Sequence, residues 1–173
     1  MNEELIKTGA QLEARFPYMF SGENIGFAHY RSWMPVVVRV CTEIDSVLGD
    51  QRKDFHWTQI KEKFGTLRLY YAFGTQSPVT MDFHSPAGLH SIRVQTGEPS
   101  SLGLVLDDLV VRAQDATASI CMVCGAPART QTYEHYRLTV CAAHHPDRVR
   151  KMDEYRHDGV WRLARCQDDE DDD

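Results

Sequence analysis

The sequence predicts an α+β fold: an antiparallel sheet, about three helices and a small metal-binding element built into the same body. Three observations carry that expectation. Apolar residues recur at helical spacing in three segments, and they switch to period-two alternation beyond residue 55. Three of the five cysteines then fall in paired spacings between residues 121 and 144. A length of 173 residues fits one domain carrying a small module, and 42% hydrophobic against 25% charged residues is an ordinary globular balance.

Residues 2–16 read as a first helix, with Asn2 as cap, Glu3 and Glu4 at the positive end of the dipole, and Leu5, Leu12 and Phe16 on one face. Pro17 stops it, and 18–31 read as a loop. Ser32 is the expected cap of a second helix, with Pro35 in its first turn and Gly49 closing it. Trp33, Val37, Val40, Ile44 and Val47 or Leu48 form its apolar stripe, and Cys41 beside them reads as core.

Segments 55–61 and 66–73 then read as a hairpin around Glu62-Lys63-Phe64-Gly65. Leu67, Leu69, Tyr71 and Phe73 should face the core, with Arg68 and Tyr70 on the opposite side. Residues 74–100 hold several Gly, Pro and Ser around two short strand candidates, 79–83 and 90–94. Asp82-Phe83-His84 there reads as an exposed strand end rather than a second metal site. Pro99-Ser100-Ser101 opens a third helix to about residue 119, striped by Leu102, Leu106, Leu109, Val110, Ala113 and Ile120. It delivers the chain into Cys121.

Cys121-Met122-Val123-Cys124-Gly125 and Cys141-Ala142-Ala143-His144-His145 form C-x2-C, a 16-residue spacer, then C-x2-H. Two donors three residues apart converge on one ion, and a second pair from another element completes a tetrahedron of thiolates and one imidazole, the preference of Zn2+. Gly125 suits a tight knuckle that needs positive φ. Strands at 128–132 and 136–140, then a basic helix opened by Pro146 and carrying Arg148, Arg150, Lys151 and Arg156, make a treble-clef-like zinc finger. Cys121, Cys124, Cys141 and His144 are the expected ligands, with His145 competing for the fourth place. Four protein ligands close the coordination sphere, so one structural zinc per chain is expected. Residues 160–166 read as a short strand or helical turn through Trp161 and Leu163.

The formal net charge is −6, and the six residues 168–173 are all acids. Without them, 19 acids face 19 Lys plus Arg, and a neutral body argues against general nucleic-acid binding. The expected division is an α+β body over 1–120, the finger with its helix packed on that body over 121–166, and a disordered acidic tail over 167–173. No stretch approaches 18 consecutive apolar residues, and residues 1–6 lack the basic and apolar regions of a signal peptide, so a cytosolic protein is expected. G-x-S-x-G, a phosphate-cradling glycine loop and H-E-x-x-H are all absent, and the expectation is a protein that is not an enzyme.

The phrase Ile60-Lys61-Glu62-Lys63-Phe64-Gly65-Thr66-Leu67-Arg68-Leu69-Tyr70-Tyr71, joined to the later cysteine pairs, resembles a group of small bacterial and prophage proteins with a KEKFG-x-LR hairpin followed by a CxxCG…CxxH finger. The resemblance covers roughly residues 30–73 and 105–146; 74–100 look like a variable part, and the acidic tail lies outside the pattern. Some members lie near genes for Rhs-type polymorphic toxins. The resemblance thus implies an immunity protein whose partner is a cognate toxin, such as the C-terminal domain of an Rhs-type toxin. Lys61, Lys63 and Arg68 would form a cationic hairpin edge for an acidic partner surface. The other expectation is a phage-derived regulatory or nucleic-acid-associated zinc protein using the basic helix after His145.

Overall fold

The computed structural model describes residues 8–21, 27–75, 77–85, 88–94, 100–133 and 136–145, together with Ile6 and Glu98. The expected cap Asn2, the helix after Pro146, the segment 160–166 and the acidic tail lie outside the described residues.

Helix α1 (Gly9–Arg15) is shorter than the expected 2–16 because a stronger start signal lies inside it. Thr8 and Gln11 form a reciprocal capping box: the Thr8 hydroxyl accepts from the Gln11 amide, and the Gln11 side chain accepts from the Thr8 amide. Leu12 and Phe16 are buried as the periodicity requires.

Helix α2 (Met34–Leu48) carries the expected stripe, with Val37, Val40, Cys41, Ile44 and Leu48 buried and Val47 left partly exposed. Burial pushes the Cys41 thiol up to about 12, so it packs as a small apolar group. The expected cap does something else. Ser32 lies in a 3₁₀ turn (Arg31–Trp33), where its hydroxyl donates to the Met122 carbonyl at 2.7 Å and the Trp33 indole donates to the Ile120 carbonyl at 3.1 Å. Both side chains grip the knuckle that follows the third helix.

Strands β2 (Phe55–Lys63) and β3 (Thr66–Phe73) form the antiparallel hairpin, and β1 (Phe27–Ala28) adds in parallel to β2. The three-stranded sheet is therefore mixed rather than wholly antiparallel. Strand β2 runs two residues past its expected end, leaving Phe64-Gly65 as a two-residue turn with φ of 56° and 76°. Positive φ at both positions matches the right-handed twist of the strands. Trp57, Ile60, Leu67 and Leu69 are fully buried in the core beneath α2 and α3 (Ser101–Thr117).

The outer edge of β3 is closed by side chains of α3. The Leu69 amide donates to the Gln114 side-chain oxygen and the Leu67 amide to the Thr117 hydroxyl, both at 2.9 Å. An edge strand left open would be a template for aggregation, and these two residues remove part of it.

Two further hairpins complete the described fold: β4 (Val79–Ser85) with β5 (Gly88–Val94), and β6 (Arg129–Tyr133) with β7 (Tyr136–Val140). In the β4–β5 pair, Val79, Met81, Phe83, Ile92 and Val94 share one face and are 40–52% exposed. The opposite face turns charge toward the body. Asp82 reaches Lys63 at 2.7 Å and Arg68 at 3.6 Å, while Arg93 meets Asp107 of α3 at 2.6 Å and lies over the Tyr71 ring. The Tyr71 hydroxyl donates to the same Asp107 carboxylate at 2.8 Å. Among the described residues, no helix is long and apolar enough to cross a membrane.

Candidate metal centre

The metal-binding geometry is built from both ends of a short loop and hairpin. Helix α3 ends at Thr117, and Ile120 makes an isolated antiparallel bridge with Pro127 that starts the knuckle. Inside it the Cys121 amide donates to the Ala126 carbonyl and the Gly125 amide to the Cys121 carbonyl, both at 2.8 Å. Gly125 takes φ +77°, a conformation costly for any residue with a Cβ. Strand β7 then delivers Cys141, and a 3₁₀ turn (Ala142–His144) curls His144 back over it.

Four donor atoms converge. The Cys124 and Cys141 sulfurs are 3.8 Å apart, and His144 Nδ1 lies 3.8 Å from the Cys121 sulfur and 3.3 Å from that of Cys141. All four ligand atoms lie within 4.8 Å of one another, a set able to hold a single metal ion. Cys121 is fully buried while Cys124 is exposed, so the centre sits at the surface with one side rooted in the core. Burial works against ionisation of Cys141, but hydrogen bonds from the His144 ring and the backbone outweigh it and bring the thiol down to about 6. A thiol of that kind gives up its proton to a metal near neutral pH.

The sequence left His144 and His145 as rivals. The structure places His144 in the cluster and packs His145 edge-on against Tyr133, with ring centroids 6.0 Å apart.

The cationic edge is placed differently from its expectation. Lys61 and Arg68 are register partners, so they do share one face of the hairpin. Asp82 of β4, however, covers the Lys63 and Arg68 end of that face. Arg68 is buried at 8% exposure, Lys63 is paired with Asp82, and Lys61 lies over the Tyr70 ring. Asp82, read from the sequence as part of an exposed strand end, is instead buried, its side chain 4% exposed, because it turns inward to Lys63 and Arg68. Its signal was present, since one carboxylate stands between Met81 and Phe83 in an alternating strand.

The β2–β3 turn meets β7 directly. The Thr139 hydroxyl donates to the Gly65 carbonyl at 2.5 Å, and the Thr139 carbonyl accepts in turn from the Met122 amide of the knuckle at 2.9 Å. A Cβ at Gly65 would meet the Arg137 carbonyl oxygen at 2.9 Å, so the β2–β3 turn is seated directly on β7. No protein-family model, no curated protein and no solved structure matches the chain.

Proposed function

We propose that the chain is a cytosolic, non-catalytic binding protein that holds one structural zinc and neutralises a cognate toxin by covering its active surface, as an immunity protein. The partner is a toxin domain, with the C-terminal domain of an Rhs-type polymorphic toxin the first candidate from the motif resemblance. The observation that carries the reading is the outward face of β4–β5, where Val79, Met81, Phe83, Ile92 and Val94 stand exposed side by side. Contiguous apolar surface on a soluble protein marks an interaction site. A stable complex buries about 1,200–2,000 Å² in total, so this face would be the apolar centre of a larger contact.

Zinc is supported by the donor set and by distance. Thiolates held at about 2.3 Å in a tetrahedron stand about 3.8 Å apart, which is the Cys124–Cys141 separation. Three cysteines and one histidine close the sphere, so the ion's work is to lock the knuckle to β7 in a treble-clef-like finger. Steric occlusion needs only that rigidity.

Co-expression with the product of the adjacent gene, followed by affinity capture, tests the function. A stable complex that protects cells from that product is expected. A harmless neighbour, or one that does not associate, would end the immunity reading.

A further inference from the structure

A second site lies away from the cysteines. A cavity of about 260 Å³ opens where the β2–β3 hairpin, the inner face of β4–β5, α3 and β7 meet, and its wall includes Arg68, Arg93, Arg137, Thr80 and Asp115. Three guanidinium groups from three separate elements share one pocket. Counting the ion-paired neighbours Lys63, Asp82 and Asp107, four cations face three carboxylates.

Several donors here lack acceptors. Arg93 commits only its Nε to Asp107, and both of its terminal nitrogens are buried with no hydrogen-bond partner. The Nε of Arg137 and the hydroxyl of Thr80 are in the same position. Thr80 and Arg93 are cross-strand neighbours, so their groups belong to one patch of the hairpin's inner face. Arg137 makes no ion pair among the described residues. Native proteins leave few buried polar atoms unsatisfied, and each such group calls for an explanation. Several of them gathered in the wall of a single cavity point to a ligand rich in acceptors.

We propose that this cavity binds an oxyanion of the phosphate type, free or as a small phosphomonoester. Guanidinium forks match tetrahedral and planar oxyanions through paired N–H bonds, and a charge-assisted bond is about twice as strong as a neutral one. The surplus of cations selects an anion, and the Thr80 hydroxyl adds a neutral donor. The volume exceeds what inorganic phosphate fills, leaving room for a short organic group on one oxygen. The site is independent of the apolar face, which lies on the other side of the same hairpin.

The test uses the full, metal-loaded chain. Thermal unfolding and calorimetric titration are run with sodium phosphate, methyl phosphate and sodium chloride at matched ionic strength. Phosphate should raise the unfolding temperature above the chloride control. Arg137→Gln should weaken phosphate binding at least fivefold, and Thr80→Val, which changes a hydroxyl to a methyl, should weaken it two- to threefold. Methyl phosphate binding as well as phosphate would identify a phosphorylated molecule as the ligand, and its exclusion would identify free phosphate. Equal stability in phosphate and chloride would overturn the proposal. So would phosphate binding that neither substitution changes.

Discussion

The β2–β3 and β4–β5 hairpins obey the same period-two alternation and use it in opposite directions. In β2–β3 the apolar set, with Trp57, Ile60, Leu67 and Leu69, faces the core. In β4–β5 the charged residues Asp82 and Arg93 face the body, and the apolar set faces out. Alternation identifies a strand, but the neighbour decides which face turns inward. Here the neighbour offers Lys63, Arg68 and Asp107, and only a face bearing a carboxylate and a guanidinium can cover them without stranding charge. The inner hairpin is held by apolar burial at roughly 25 cal/mol per Å². The outer one is held by buried ion pairs, which fix geometry better than they add stability.

The strongest way to break the inner hairpin is through the metal centre, because the hairpin's turn is seated on β7, the strand that leads into Cys141. Cys121→Ser should lose the ion and with it up to about 10 kcal/mol, the scale of metal-coupled folding. Metal analysis and circular dichroism of the purified variant check this. A folded chain lacking metal would show that the core of β2–β3 and the helices stands without the finger. His144→Ala should be far more damaging than His145→Ala, because only the first removes a donor atom.

The outer hairpin should break at Asp82. Asp82→Ala leaves the guanidinium of Arg68, whose side chain is 9% exposed, without that carboxylate. The expected cost is about 3 kcal/mol, with little of it from the more exposed Lys63. Urea unfolding gives the magnitude, and amide hydrogen exchange should show β4–β5 opening while β2–β3 stays protected. Equal loss of protection in both would mean that the two hairpins unfold as one unit.

A smaller contrast separates two glycines at opposite ends of β3. Gly65 and Gly74 both have positive φ, at 76° and 57°. A Cβ on Gly65 would collide with the Arg137 carbonyl, whereas one on Gly74 would meet nothing within 4 Å. Gly65→Ala should therefore cost about 2–3 kcal/mol and Gly74→Ala about 1 kcal/mol, the conformational strain alone. Equal costs would show that the turn of β2–β3 rests only loosely on the finger.

Much of this was legible in the sequence. The stripes of α2 and α3, the alternation in β3, the strands of the finger and the Cys121, Cys124, Cys141 and His144 set all follow from periodicity or ligand spacing. What stayed hidden was long-range. Ser32 looks like a helix cap from its neighbours, and only the fold brings Met122, 90 residues away in sequence, to its hydroxyl. The Thr8–Gln11 capping box is a local pattern of the T-x-x-Q kind, and the acidic residues further upstream offer a competing start. Arg68 looked exposed because its strand alternates, and the carboxylate that buries it lies on a separate hairpin. Local pattern reaches as far as an element and its faces, and the partner of each face depends on tertiary contact.

The smallest stability effect belongs to the residues with the largest expected effect on binding. Phe83 is 47% exposed at one end of the outward face, next to Met81 on its own strand. Phe83→Asp removes partly solvated apolar surface and adds a solvated charge, so it should change stability by no more than about 0.5 kcal/mol. The same aspartate in the centre of an interface would be a desolvated charge without a partner, costing several kcal/mol and weakening association by about a hundredfold or more. Replacing Lys61, already engaged with the Tyr70 ring, should alter association about tenfold at most and mainly at low salt. Urea unfolding and affinity capture of the adjacent gene's product, run side by side on Phe83→Asp and Lys61→Ala, separate the two roles. If Lys61→Ala abolishes capture while Phe83→Asp leaves it intact, the cationic hairpin edge is the recognition surface and the apolar face of β4–β5 is not. If Phe83→Asp instead unfolds the protein, that face is buried in the folded chain and the inversion between the two hairpins is only apparent.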